Sequence, residues 1–338
     1  MDSNVASLLA EPRCLKYTLG LIQTRFENWK DAKMHTDPVT SDLLASSVIA
    51  VPPLARDESL LTNFDENKKI ASHIEAGGVR ILLYGGNANF YHIGLSEYAD
   101  VLAILSQIAS DDTLVIPSAG PAFGMMMDQA DAINDTDFPT VMVLPQQEVT
   151  TSLGIATGLR KFAEKINRQI VLYIKHDRVL AVEDAASLVK EGIVSFIKYA
   201  VVRDIPSDDT YLDELVDQVD PSIIVSGIGE QPAIDHLQKF GLNGFTSGCV
   251  CVAPRLSMKM LGALKSGQID EAERIRKIFL PLENLRNAIN PIRVLHEAVS
   301  AAGIANAGPH LPLLSAIESP QQVTEIKTAS LELLSQND

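Results

Sequence analysis

A rhythm in this chain constrains its fold more than anything else. From Val48 onward, short apolar runs rich in β-branched residues alternate with longer amphipathic segments. The runs are Val48-Ile49-Ala50-Val51, Val79-Arg80-Ile81-Leu82-Leu83-Tyr84, Thr113-Leu114-Val115-Ile116, Thr140-Val141-Met142-Val143-Leu144, Ile170-Val171-Leu172-Tyr173, Val194-Ser195-Phe196-Ile197-Lys198, Ser222-Ile223-Ile224-Val225 and Gly244-Phe245-Thr246-Ser247. A strand that is apolar throughout must be covered on both faces, and strand–helix alternation covers a parallel sheet in that way. Helical periodicity follows most of the runs, as in Phe64 to Ala71 and Leu153 to Leu159. Eight such units within about 210 residues fit an α/β fold of the closed (β/α)8 TIM barrel type, whose usual size is roughly 250 residues. A doubly wound open sheet is the alternative. No G-x-G-x-x-G follows the first strand, so its nucleotide-binding form lacks its fingerprint.

The rhythm divides the chain into an N-terminal extension (1–45), the barrel (46–255) and a C-terminal helical bundle (256–338). In the extension, Leu15, Leu19, Ile22 and Phe26 fall at helical spacing, which predicts a helix. After Pro254 the strands stop. Leu261, Leu264, Ile269, Ala272 and Ile275 are spaced for helices, and Pro281, Pro291 and Pro312 punctuate the segment.

Composition excludes some functions. The net charge is -15 and no basic block appears, which speaks against a nucleic-acid partner. No apolar stretch reaches transmembrane length. Met1-Asp2-Ser3-Asn4 has neither a basic n-region nor an apolar h-region, so the expected location is cytoplasmic. The three cysteines, Cys14, Cys249 and Cys251, have no metal-ligand spacing and imply neither a zinc site nor a disulfide framework. Cys249-Val250-Cys251 is expected to extend the last strand with both sulfurs on one face. His92, His176 and Asp177 are the only candidates for metal chemistry near strand ends, and His176 and Asp177, adjacent on a strand, would diverge. No metal or cofactor is expected.

Lys198 ends one of the apolar runs. A lysine aimed into a core must be paired, lie at the rim, or be held neutral, because stripping an ammonium of water is costly. A neutral lysine amine condenses with carbonyl compounds to form a Schiff base. Barrel active sites form at the C-terminal ends of the strands. Those ends offer Gly85, Gly86 and Asn87 after the second strand and Tyr173, Lys175 and Arg178 at and after the fifth. Lys198 ends the sixth, Ser226 and Gly227 the seventh, and Ser247 the eighth. Tyr173 and Lys198 end neighbouring strands, so a phenol could shuttle protons beside the amine. The charge of Lys175 could lower the pKa of Lys198. A rim lysine or an ion-pair partner would occupy the same place.

Together these motifs resemble the dihydrodipicolinate synthase / N-acetylneuraminate lyase superfamily, class I aldolase-type barrels. The similarity runs from about Val48 to Ser315. It rests on Gly85-Gly86-Asn87-Ala88-Asn89 with Leu95-Ser96-Glu97-Tyr98, on the strand ending in Tyr173 and on the strand ending in Lys198. Gly244 to Arg255 with Asn290-Pro291-Ile292 completes the set. The resemblance implies a 2-oxo acid, pyruvate or a longer keto-deoxy sugar acid, bound covalently to Lys198. It makes Tyr173 the proton shuttle and the backbone near Gly86 and Asn87 the carboxylate holder. It also implies a homotetramer or homodimer.

The chain departs from the synthases at several places. Gly86 and Asn87 stand where the synthases carry two threonines, so Gly86 cannot relay a proton. Asn89 replaces a glutamate, and Gln146-Gln147 replaces a tyrosine pair. Arg178 falls at the spacing of the synthases' substrate arginine. The double glycine followed by Phe90 is similar to the 5-dehydro-4-deoxyglucarate dehydratase branch. The expectation is a Schiff-base-forming aldolase or dehydratase other than dihydrodipicolinate synthase itself. A catalytically impaired or regulatory member that binds a small carboxylate is the alternative.

Overall fold

The computed structural model describes residues 34–338. Cys14 and the helix expected around Leu15, Leu19, Ile22 and Phe26 lie outside the described residues. Every apolar run supplies a strand, and a short further strand follows the third run beyond Pro117, giving nine. These are β1 (Ile49–Ala50), β2 (Ile81–Leu83), β3 (Leu114–Ile116), β4 (Ser118–Ala119), β5 (Val141–Val143), β6 (Ile170–Ile174), β7 (Val194–Tyr199), β8 (Ile224–Ser226) and β9 (Gly244–Ser247).

All neighbours pair in parallel, in the order β3-β2-β1-β9-β8-β7-β6-β5-β4. The two ends of that order, β3 and β4, are consecutive pieces of one extended segment interrupted at Pro117. Proline has no N–H to give to a ladder, yet its carbonyl still accepts from Met142 N at 2.9 Å. On the other flank Tyr84 N donates to Ile116 O, also at 2.9 Å. The sheet therefore closes on itself as an eight-stranded barrel, as the sequence rhythm implied.

Helices cover the outside. They follow the strands in turn, from Phe64–Ala76 after β1 to Pro254–Lys265 after β9. Three more, Ile269–Ala288, Pro291–Ala301 and Pro320–Leu334, complete the C-terminal region. Pro281 lies inside the first of these rather than ending it. Its ring denies a donor to the carbonyl of Lys277, but both residues are exposed, so water can bond the orphaned carbonyl. Cys249–Cys251 is a 3-10 turn, not a continuation of the strand. The Ser247 hydroxyl accepts Val250 N at 3.0 Å and bends the chain there.

The strand pairing decides which side chains face the barrel axis. In a parallel sheet, paired residues point the same way and successive residues alternate. Tyr199 points outward: its ring stacks on Tyr211 of the Thr210–Gln218 helix, with centroids 6.1 Å apart. Its hydroxyl donates to the buried Asp209 at 2.5 Å. Lys198, one residue earlier, therefore points inward, together with its partners Tyr173 and Val225. Ser226 pairs with Tyr199 and so shares the outward face.

Gly227 makes the junction between β7 and β8 fit. Its N–H donates to Tyr199 O at 2.6 Å. A Cβ there would lie 2.7 Å from both Ala200 Cβ and Tyr199 O, closer than such atoms pack. Gly227→Ala is expected to lower stability in urea denaturation by about 1–3 kcal/mol, the usual cost of overpacking. A change within experimental scatter would contradict the close approach.

Candidate active site

Lys198 lies at the C-terminal end of β7 and is only 6% exposed. Its Nζ sits 4.2 Å from the centroid of the Tyr173 ring. Among the described residues it forms no salt bridge. Loss of hydration is the main force on the amine, and the charges of Lys175 and Arg286 add to it. Together they push its pKa down to about 7. The face of an aromatic ring favours the ammonium, but that attraction does not offset the burial. Near neutral pH a large share of this amine carries a lone pair, which is what attack on a carbonyl requires.

Tyr173 covers the amine from the next strand. Burial raises its pKa, and ionised Tyr91 would oppose its ionisation further. It therefore stays a neutral phenol, able to give and accept a proton. Tyr91 belongs to the loop after β2, and burial pushes its own pKa up to about 12. Its ring lies over Gly86, with Cε2 3.6 Å from where a Cβ on Gly86 would stand.

The glycine loop fits its surroundings closely. A Cβ on Gly85 would lie 2.6 Å from Met142 Cε. Gly86–Ala88 then forms a 3-10 turn closed by Asn89 at φ 58, a left-handed position that asparagine tolerates. The first N–H groups of a helical turn have no partner within it, so those of Gly86 and Asn87 are available to an anion. One N–H of the Asn87 side chain is occupied: Nδ2 donates to Val51 O at 2.8 Å. The Asn87 carbonyl lies 3.1 Å from Nε2 of His296 on the Pro291–Ala301 helix. A C-terminal helix thus supports the loop from behind.

The remaining residues singled out in the sequence divide into two groups. Lys175 follows Tyr173 by two and is exposed at the mouth, where partial burial lowers its pKa. The others are engaged elsewhere. Arg178 pairs with both Glu214 oxygens, at 2.8 and 3.0 Å, on the outer helix layer. The Ser226 hydroxyl is 2.8 Å from Nδ1 of His236 in the Ala233–Lys239 helix. The Ser247 hydroxyl donates to Glu230 at 2.8 Å, behind β9. Strand alternation turns both serines outward, away from Lys198, while Gly227 shapes the wall without reaching in.

A cavity of about 660 Å³ opens beside Tyr173 and Lys175, lined also by Phe123, Leu144, Gln146 and Leu159. It is mostly apolar and extends between the outer faces of β5 and β6 and their helices. Lys198 does not line it. Among the described residues no group of three or more His, Cys, Asp or Glu side chains is placed to hold a metal.

Three features at or near the mouth went unnoticed in the sequence. Tyr91 sits inside the loop run, where an aromatic next to Phe90 reads as packing. Arg286 comes from the Ile269–Ala288 helix, far along the chain. Glu230 and Glu283 form a buried carboxyl pair behind β9. Glu283 accepts from Glu230 N at 2.9 Å, and Glu230 accepts from Ser247 and Ser257 at 2.8 and 2.7 Å. Burial, followed by the charge of Glu230, drives the Glu283 pKa well above the usual carboxylate range. Nothing in a single sequence pairs residues 53 positions apart.

The Dihydrodipicolinate synthetase family matches residues 48–329. The 4-hydroxy-tetrahydrodipicolinate synthase of Methanopyrus kandleri is 24% identical over 291 residues, 84% of this chain and 95% of that protein. The dihydrodipicolinate synthase structure from Bacillus clausii superposes with a TM-score of 0.74 at 23% identity, covering 87% of this chain and 98% of its own. The sialic acid aldolase of Ruminococcus gnavus gives 0.72 at 15% identity, covering 86% and 98%.

Lowering a lysine pKa has a cost in stability. The folded protein binds this proton less well than the unfolded chain, whose lysine keeps the ordinary value of 10.5. The penalty is complete below about pH 7 and fades as pH rises toward 10.5. Lys198→Met is therefore expected to be more stable than the wild type. Its advantage in urea melts should be on the order of 2–3 kcal/mol smaller at pH 9 than at pH 6. A pH-independent difference would mean that the buried amine is not depressed.

Proposed function

The chain belongs to the dihydrodipicolinate synthetase family, a family of lyases, and from that premise we propose that it is a Schiff-base-forming lyase acting on a 2-oxo acid. The observation that carries this reading is a buried Lys198 amine, pushed down to about pKa 7 and 4.2 Å from the Tyr173 ring. The amine attacks the C2 carbonyl and loses a proton, giving a carbinolamine. Departure of water then leaves a protonated imine. That cation acidifies the C3 hydrogens and gives an enamine, which attacks an aldehyde or expels a hydroxyl group from C4. In the cleavage direction the C3–C4 bond of the iminium breaks as the C4 hydroxyl loses its proton, releasing an aldehyde and leaving the enamine. Tyr173 moves the protons that these steps release and consume. The N–H groups of Gly86 and Asn87 hold the substrate carboxylate. The imine is itself the electron sink, so this chemistry requires no metal or further cofactor.

We place the reaction among aldolases or dehydratases other than dihydrodipicolinate synthesis. Gly86 has no hydroxyl for a relay, and Asn87, the other residue at a threonine position, carries an amide, one N–H of which is held by Val51 O. Gln146-Gln147 offers no phenol. The same observations favour a second reading, a catalytically impaired or regulatory member that binds a small carboxylate. A cytoplasmic homodimer or homotetramer completes the proposal. Among the described residues no helix is long and apolar enough to cross a membrane.

The test is chemical. The protein is incubated with pyruvate or a keto-deoxy sugar acid, reduced with borohydride and analysed by peptide mass spectrometry. The expected result is a stable adduct on Lys198 and none in Lys198→Ala. Absence of an adduct with every 2-oxo acid tried sinks the imine. Tyr173→Phe is expected to retain the adduct while slowing turnover by about 10²–10⁴-fold, the usual worth of a positioned acid–base group. An adduct without turnover of any acid would favour the regulatory reading.

A further inference from the structure

Arg286 is a cation that no local motif places at this site. It lies one helical turn after Glu283 on the Ile269–Ala288 helix. Its guanidinium fills the space where a side chain on residue 248 would be. A Cβ on Gly248 would stand 2.6 Å from Arg286 Cζ and Nη2 and 2.8 Å from Nη1. Gly248 directly follows β9, two residues after Thr246, which shares the inward face. The absence of a side chain at that point leaves room for the guanidinium at the C-terminal end of β9. Its charge is felt by Lys198 and by the buried Cys249 thiol.

This guanidinium has little to satisfy it. Its one hydrogen bond to a backbone carbonyl among the described residues runs from Nε to Pro291 O, at 3.3 Å, and its side chain also acts on the Cys249 thiol. Lys175, Lys198 and Arg286 form no salt bridge among the described residues. Burial and the charge of Glu230 raise the pKa of Glu283, the nearest acid on the same helix, and it forms no salt bridge with Arg286 among the described residues. The C1 carboxylate of a 2-oxo acid answers one anion site, the Gly86 and Asn87 N–H groups. A second anion site then remains at the mouth, and it has the planar, two-pronged geometry that arginine offers a carboxylate.

We infer that Arg286 is a specificity-determining residue: given room at the end of β9 by Gly248, its guanidinium binds a second carboxylate, so that the substrate is a 2-oxo diacid. This rests on the proposed site around Lys198, but its test does not need an imine. 2-Oxoglutarate and 2-oxopentanoate have the same chain length and differ in the second carboxylate. Each is titrated calorimetrically into the full chain and into R286Q and R286K, and samples are then reduced with borohydride.

The wild type is expected to bind 2-oxoglutarate about tenfold or more tightly than 2-oxopentanoate. R286Q should erase most of that preference, and R286K, which keeps the charge but not the fork, should keep part of it. Equal affinities in the wild type, the same preference in R286Q, or no binding of either acid each overturns the assignment. Diacid preference that depends on Arg286, with no reducible adduct, would refute the imine and leave the arginine's role standing.

Discussion

The arrangement at the barrel mouth depends on the removal of water from one amine. The β7 pairing sends Lys198 inward because Tyr199 is committed to the outer helix layer. Burial then makes the ammonium costly, and two nearby cations make it costlier. No carboxylate relieves it among the described residues. A shift from 10.5 to about 7 corresponds to a penalty on the order of 5 kcal/mol below pH 7. That is a sizeable fraction of a domain's net stability, and the rest of the barrel has to carry it. The same burial leaves a large share of the amine uncharged near neutral pH.

The C-terminal helices act as part of the site. His296 meets the Asn87 carbonyl and braces the glycine loop. Arg286 reaches over Gly248 from the preceding helix. Asn290 caps the start of the Pro291–Ala301 helix by accepting from Ile292 N and Arg293 N, with Pro291 in the first helical position. This fixes the turn between the two helices that reach the mouth. The barrel carries the buried lysine and the tyrosine beside it, and the appended helices hold the loop and bring in a cation.

The barrel was legible because its signal is periodic. Apolar runs and amphipathic segments repeat often enough that the closed sheet follows from counting. The strand-end position of Lys198 and Tyr173 was legible for the same reason. Strand ends alone could not show side-chain direction. A shift of one residue separates Ser226, which faces His236, from Val225, which faces inward beside Lys198. Arg178 matched a family spacing, yet Glu214 on the neighbouring helix holds it at the surface. Arg286 and Tyr91 were missed because tertiary packing places them. The only local sign was a glycine at position 248, which reads as a turn until something is seen to fill the space beside it.

The most direct test of the account is a crystal structure of the protein soaked with a 2-oxo acid and reduced in the crystal. The account requires continuous density between Lys198 Nζ and C2 of the acid. It also requires the C1 carboxylate within hydrogen-bonding distance of the Gly86 and Asn87 N–H groups and the Tyr173 hydroxyl beside the new bond. An unmodified Lys198, with the acid bound elsewhere or its carboxylate turned away from the glycine loop, would contradict it.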